Sequence, residues 1–345
     1  MSLGTYSPTL FVGDTKVASW KSINFKDGGN NQVTSLSVST SDPQLDNMAL
    51  DGKEITFYLN NGAHDTVPFF RGRIKESKPS NKAFNFTAYD VRILLSGKEA
   101  LPISITDEKN YDGYTLGQFL YEYIDTVINY NNTLIGLDML NDSNPTVSLS
   151  GFRNDSITPL QVVQNNLKTN KNTATDVRNT RLVVRDDGIK SNLCFVEEQS
   201  IDNSAISFSY SDGLENVSFK RRNAPNVFLS KADGNSVVYK HNNLPNGLYT
   251  EKMSGDFSYP DEAVQESFFL AEQMKDKHEL SITVTKGHYL DIGNVILLDV
   301  PDFEYLSGKH RIVSKNVSVS SNKISCKLQL SKETPRVNTY LSSVG

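Results

Sequence analysis

Five histidines, two cysteines and 40 acidic residues are the side chains from which this sequence could build a catalytic or metal site. Their spacing builds none. His64, His241, His278, His288 and His310 form no H-x-x-x-H, H-E-x-x-H or Cys/His cluster with metal-ligand spacing. His64 and His241 lie in turn regions and His278 closes an expected helix, so these three read as solvated side chains. Cys194 and Cys326 sit far apart in strand-like runs, LCFVEE and ISCKLQL, where a small buried thiol is the expected state and no disulfide is. Asp186-Asp187 and Glu197-Glu198 lie in or beside a hairpin and read as solvated turn charges rather than an acid/base pair. The segment 138–145 lacks the spaced ligands and terminal Glu of a calcium loop. No G-x-S-x-G elbow occurs, and Asp27-Gly28-Gly29-Asn30-Asn31 opens no helix, so it reads as a turn, not a phosphate cradle. Lys220-Arg221-Arg222 lacks interleaved aromatics and fits a surface or inter-subunit ion pair better than a nucleic-acid contact. The expectation is a protein with no catalytic residue, no metal and no cofactor.

Strands dominate the elements that carry these residues. Alternating runs at 33–39, 54–60, 69–77 and 83–91 are separated by turn clusters rich in Gly, Asn and Pro, the pattern of an antiparallel barrel or sandwich. The middle is different. Residues 115–130 have helical apolar spacing with Thr115 as N-cap, and 156–169 predicts a second helix with Pro159 in its first turn. Runs 181–188 and 191–198 turn at Asp187-Gly188 as a hairpin. From about 206 strands return, interrupted by one helix over 259–280, and a tail or docking arm follows. The expected fold is mainly β with an α+β insert: a first tube-like antiparallel β-barrel (1–97), a small α+β domain (98–205) and a second tube-like barrel (206–345).

The chain has 345 residues, enough for two or three domains, and a formal net charge of −5. Its 37% apolar and 10% aromatic content exceeds that of disordered chains. A mean hydropathy of −0.41 without a long apolar run excludes a membrane-spanning helix. The start carries no basic-then-apolar leader pattern, so none is expected. Mixed charges with an acidic balance argue against nucleic-acid binding as the main role.

Two segments share a pattern. Residues 50–90 and 290–331 both run Leu-Asp, Gly, strand, loop, Gly-basic, strand, Ser-Asn-Lys, strand, with Gly72 set against Gly308. If the pattern is a repeat, two similar barrels flank the insert.

The order of Gly52, Phe57-Tyr58-Leu59, Phe70-Arg71-Gly72-Arg73-Ile74, Tyr89-Asp90 and Leu94-Leu95 resembles the opening barrel of the bacteriophage baseplate hub (tail hub) family, to which the N-terminal part of type VI secretion spike proteins is related. Gly287 through Gly293 and Val295, then Leu306-Ser307-Gly308 to Ile312, resembles that family's second barrel. The resemblance implies a non-enzymatic homotrimer in the virion tail baseplate, assembled in the host cytoplasm. It would adapt the sixfold tail tube to a threefold central spike and form part of the DNA conduit. The implied partners are the tail tube protein, a separate central spike protein, and the tape-measure and other baseplate proteins; DNA passes without specific binding. Two other readings stay open on the residues alone: a β-rich receptor- or carbohydrate-binding virion protein, and a tail-associated cell-wall hydrolase.

Overall fold

The computed structural model describes residues 6–28, 32–45, 48–59, 67–80, 83–96, 114–124, 135–136, 158–163, 180–197, 206–221, 226–240, 250–257, 259–261, 263–264, 267–268, 278–320 and 323–331. His64, His241, segment 138–145 and the tail after 331 lie outside them.

Strands appear where apolar and polar residues alternate. The N-terminal part forms β1 (Thr9–Val12), β2 (Thr15–Lys16), β3 (Trp20–Asp27), β4 (Ser35–Thr40), β5 (Glu54–Tyr58), β6 (Phe70–Ser80) and β7 (Ala83–Tyr89). The middle supplies α1 (Leu116–Tyr123), β8 (Ile135–Gly136), β9 (Thr180–Asp186) and β10 (Ser191–Glu197). The rest comprises β11 (Ile206–Phe208), β12 (Leu214–Arg221), β13 (Val227–Ala232), β14 (Asn235–Lys240), β15 (Thr250–Phe257), β16 (His278–Val284), β17 (Val295–Leu298), β18 (Gly308–Ser320) and β19 (Ile324–Ser331). The fold is mainly β, with one large sheet and a small helical insert.

The large sheet has thirteen strands, running β12-β16-β19-β18-β3-β4-β7-β6-β5-β1-β2, with β17 on β18 and β11 on β17. It joins the two ends of the chain where β18 lies antiparallel to β3, pairing Val317 with Phe25 and Val319 with Ile23. One apolar cluster serves both parts: Leu10, Ile23, Leu36, Ile55 and Ile74 share it with Ile282, Ile296, Ile312, Val317 and Leu328. Along β4 and β19 the buried positions alternate with more exposed ones, so burying one face of the sheet explains the pattern there. A separate three-stranded sheet, β14-β13-β15, stands apart from this path.

The insert has its own core. Leu116, Phe119 and Leu120 of α1 pack with Leu160, Val163, Leu182, Leu193 and Phe195. Thr115 caps α1 as its type and place predict: its hydroxyl accepts from Gln118 N–H at 3.1 Å, and the Gln118 side chain accepts from Thr115 N–H at 2.9 Å. Thr158 and Gln161 repeat this exchange at 3.3 and 2.9 Å around Pro159, the first residue of the second helical stretch (159–163). β9 and β10 form the expected hairpin, with Gly188 at φ +93° in its turn.

One boundary differs from expectation. The helix expected over 259–280 is described at 260–261, 263–264 and 267–268, and it has ended by His278, where β16 begins. Leu280, Ile282 and Val284 face Leu330, Leu328 and Cys326 of β19, and burial of that period-two face outweighs a last helical turn.

Candidate assembly interface

The two ends of the chain repeat one topology. In the first block the strands run β3-β4-β7-β6-β5, and in the second β12-β16-β19-β18-β17. Both blocks use the same order of first, second, fifth, fourth and third strand. The details match as well. Gly52 N–H donates to Ile74 O at 2.8 Å and Ile74 N–H to Lys53 O at 2.9 Å; Gly293 N–H donates to Ile312 O at 2.8 Å and Ile312 N–H to Asn294 O at 2.9 Å. Both glycines hold a left-handed φ, +78° and +91°, which lets the chain turn into the third strand. The next strand is irregular at one point in each block, between Ile74 and Glu76 and between Ile312 and Ser314.

The same registers reassign one residue. Phe57 pairs with Phe70, and Leu298 with Gly308, so Gly308 corresponds to Phe70. The counterpart of Gly72 is His310, because each stands opposite an isoleucine, Ile55 and Ile296. The short motif Gly-basic matched the wrong pair because sequence spacing does not carry strand register.

The motif residues of the first block meet in space. Gly72 lies under the Tyr89 carbonyl and beside the Phe70 ring. Asp90, next in line, caps the turn Val91–Leu95 by accepting from Arg92 N–H at 3.0 Å. Its other oxygen accepts from Thr34 N–H at 3.2 Å and from the Arg92 guanidinium at 2.6 and 3.0 Å. Arg92 also donates to Leu182 O at 3.2 Å and to the Thr34 hydroxyl, tying the first block to the insert. Burial by itself would lower the Arg92 pKa, but the Asp90 charge and hydrogen bonds outweigh it and raise it. Arg92 carries no sequence signal beyond being a charged residue in an apolar turn, VRILL.

A second tie corrects an expectation. Asp186 is not a solvated turn charge: its side chain is 7% accessible and holds Arg71. Arg71 Nε donates to Asp186 Oδ2 at 2.6 Å, Nη1 to Glu54 Oε1 at 2.7 Å and Nη2 to Gly188 O at 2.9 Å. β6 is thereby clamped to the insert hairpin, and the carboxylate is buried because the hairpin docks on the large sheet. Asp187 remains exposed, as expected. It accepts from Lys190, Ile189 and Asn192, which lowers its pKa to about 2.

Between these ties lies a cleft of about 510 Å³, lined by residues of the large sheet, the insert and the 288–294 turn. On its wall, Lys315 is 6% exposed and donates to His288 O at 3.2 Å and Leu290 O at 2.7 Å, with its ammonium over the Phe25 and Phe69 rings. His288 Nε2 meets the Tyr6 hydroxyl at 3.2 Å, and burial, with Lys315 nearby, lowers the His288 pKa. Cys326 is buried and its pKa is pushed up to about 12, which makes it inert. Among the described residues no three His, Cys, Asp or Glu side chains come together as metal ligands. Lys220 stands exposed on β12, the outermost strand of the sheet path.

No protein-family model matches the chain, and no curated protein matches its sequence. Solved structures do match its fold. A tail protein from Neisseria meningitidis MC58 is 13% identical with a TM-score of 0.63, over 95% of this chain and 97% of that one. The 43 kDa tail protein of prophage MuSo2 from Shewanella oneidensis gives the same figures. The E. coli c3393 protein, described as a type VI secretion component structurally similar to the T4 tail proteins gp27 and gp5, is 10% identical with a TM-score of 0.51 over 94% of this chain and 77% of that one. The chain has the fold of phage tail proteins and of a type VI secretion component.

Proposed function

We propose that this protein is the structural tail hub of a phage, or of a phage-like injection machine. In this reading it works as a trimer that joins the sixfold tail tube to the threefold central spike and forms part of the DNA conduit. The observation that carries the reading is the repeated strand order. Inside one chain, the first strand of the first block, β3, is closed by the fourth strand of the second, β18. The counterpart pair is β12 and the part of β6 beyond Arg73. Neither has a further strand on its outer side among the described residues. In a ring of three copies, β12 of one lies antiparallel to 75–80 of the next. All joints then have the same form, and three chains present six like blocks.

A sixfold tube can seat on such blocks, while the inserts and connecting segments keep threefold symmetry for a spike. Ring closure also removes two sheet edges that would otherwise invite aggregation. The work is done by interfaces, without catalysis. The tail-protein fold supports the reading, with the tube protein and the central spike as partners in the virion baseplate.

Light scattering of the purified protein over a concentration series tests it. The expected species has three times the 38.4 kDa chain mass. A strict monomer, alone and with tube and spike proteins added, overturns it.

A further inference from the structure

The joint inside the chain has a specific filling. Phe25 of β3 and Phe69, just before β6, stand 4.8 Å apart, and Lys315 Nζ from β18 sits 5.5 and 5.6 Å from their ring centroids. The second block builds a comparable aromatic pair, with Tyr305 in place of the Ser307 that corresponds to Phe69. Phe219 pairs with Leu280 on β16 as Phe25 pairs with Leu36 on β4. Leu280 and Leu36 in turn face Leu330 and Ala88, the residues opposite Ile312 and Ile74. Tyr305, in the turn Pro301–Leu306 just before β18, places its ring 5.5 Å from Phe219 at 71°, and Phe303 extends the row at 6.1 Å. This row is open to solvent: Phe303 is 46% exposed and Tyr305 59%. Exposed Asp299, Asp302 and Glu304 lie along the same stretch of chain.

We propose that the Phe219–Tyr305–Phe303 row is the receiving half of the joint between two copies of this chain, and that its occupant is the 75–80 stretch of β6 from the second copy. The inference rests on the hub reading and adds to it the residues that make the contact. The registers of β6 on β7 and of β18 on β19 put Ser77 opposite Phe86 and Lys315 opposite Leu328, so Ser77 holds the place of Lys315. Ser77 is preceded by Lys75-Glu76 and followed by Lys78, so two lysines against one glutamate set a net positive stretch against the acidic rim of the aromatic row. Covering three large rings also explains why so much aromatic surface is left exposed in one chain.

The test is light scattering of the full chain carrying Phe303→Ser with Tyr305→Ser. The expected result is at least a tenfold rise in the concentration at which trimer gives way to monomer, with unchanged circular dichroism. Tyr210→Ser, at an aromatic 48% exposed elsewhere, leaves assembly unaltered. Should the double variant lose its fold, Asp302→Lys with Glu304→Lys takes its place, and assembly weakens most at low salt. A wild-type trimer whose variants trimerise equally well overturns this inference and leaves the hub reading standing. A wild type that never trimerises, even with tube and spike proteins, overturns both.

Discussion

Gly72 passes directly beneath the Tyr89 carbonyl: a Cβ at residue 72 would lie 2.3 Å from that oxygen and 2.7 Å from Cζ of Phe70. The first obstacle is backbone of the neighbouring strand, so it cannot swing aside as a long side chain would. Gly72→Ala is expected to destabilise the protein by about 3 kcal/mol, the upper end for overpacking a tight site. Gly52→Ala meets nothing within 4 Å and carries only the cost of its left-handed φ, about 1 kcal/mol. Denaturant titration of the two variants checks the order, and equal losses would refute it.

Asp90 and Arg92 are a buried pair whose remaining hydrogen-bonding groups are also satisfied. Removing one partner strands the other, so Asp90→Ala is expected to cost about 3–5 kcal/mol. Replacing both with apolar residues of similar size is expected to cost less than the single change. Urea unfolding of the single and double variants measures the difference.

Arg71 and Asp186 join the large sheet to the insert. Arg71→Ala is expected to loosen the hairpin β9–β10 more than the sheet. Amide exchange at 181–196 should rise by about tenfold or more while that of β4 and β7 stays unchanged. Uniform exchange across both regions would show that the clamp does not act locally.

The pH dependence of the hairpin turn follows from Asp187. Its pKa of about 2 lies below the ordinary carboxylate value of 3.8. The stabilising contacts to Lys190, Asn192 and Ile189 are therefore complete above the ordinary value and are lost as pH falls through about 2. Nuclear magnetic resonance shifts of the Ile189 and Lys190 amides should titrate in that window, and Asp187→Asn should abolish the titration.

His288 acts in the same sense but over a higher pH range. Burial and Lys315 depress its pKa below 6.5, so the folded chain resists the proton that the unfolded chain accepts. Stability from this residue is full at neutral pH and falls as acid is added below about 6.5. Thermal melts of His288→Gln should show a smaller drop between pH 7 and pH 5 than the parent chain.

Much of the local architecture was legible in the residues. Alternation marked β4, β6, β7, β18 and β19, Thr115 marked the start of α1, and Asp187-Gly188 marked a hairpin. Each of these depends on neighbours a few positions away: side-chain period, a cap oxygen within reach of the next turn, a glycine that tolerates positive φ. The recurrence of Leu-Asp with a following glycine near 50 and 290 was also visible, and it pointed to two like halves.

Other features depend on partners that no local pattern names. β3 lies beside β18 through contacts such as Ser318 with Asn24, 294 residues apart. Which residue stands opposite which is decided by where a whole strand can bury its face. That burial made Gly308 the counterpart of Phe70 and brought the strand at His278 forward at the expense of a helix. Asp186, Arg92 and Lys315 look like ordinary surface charges in the sequence. Docking of the insert and of β18 against the sheet removes them from water, and a charge without water must be held by the groups around it. Type and spacing thus determined the strands, turns and caps, whereas the register, the buried charges and the exposed row at Phe303 and Tyr305 arose only when distant segments closed on one another.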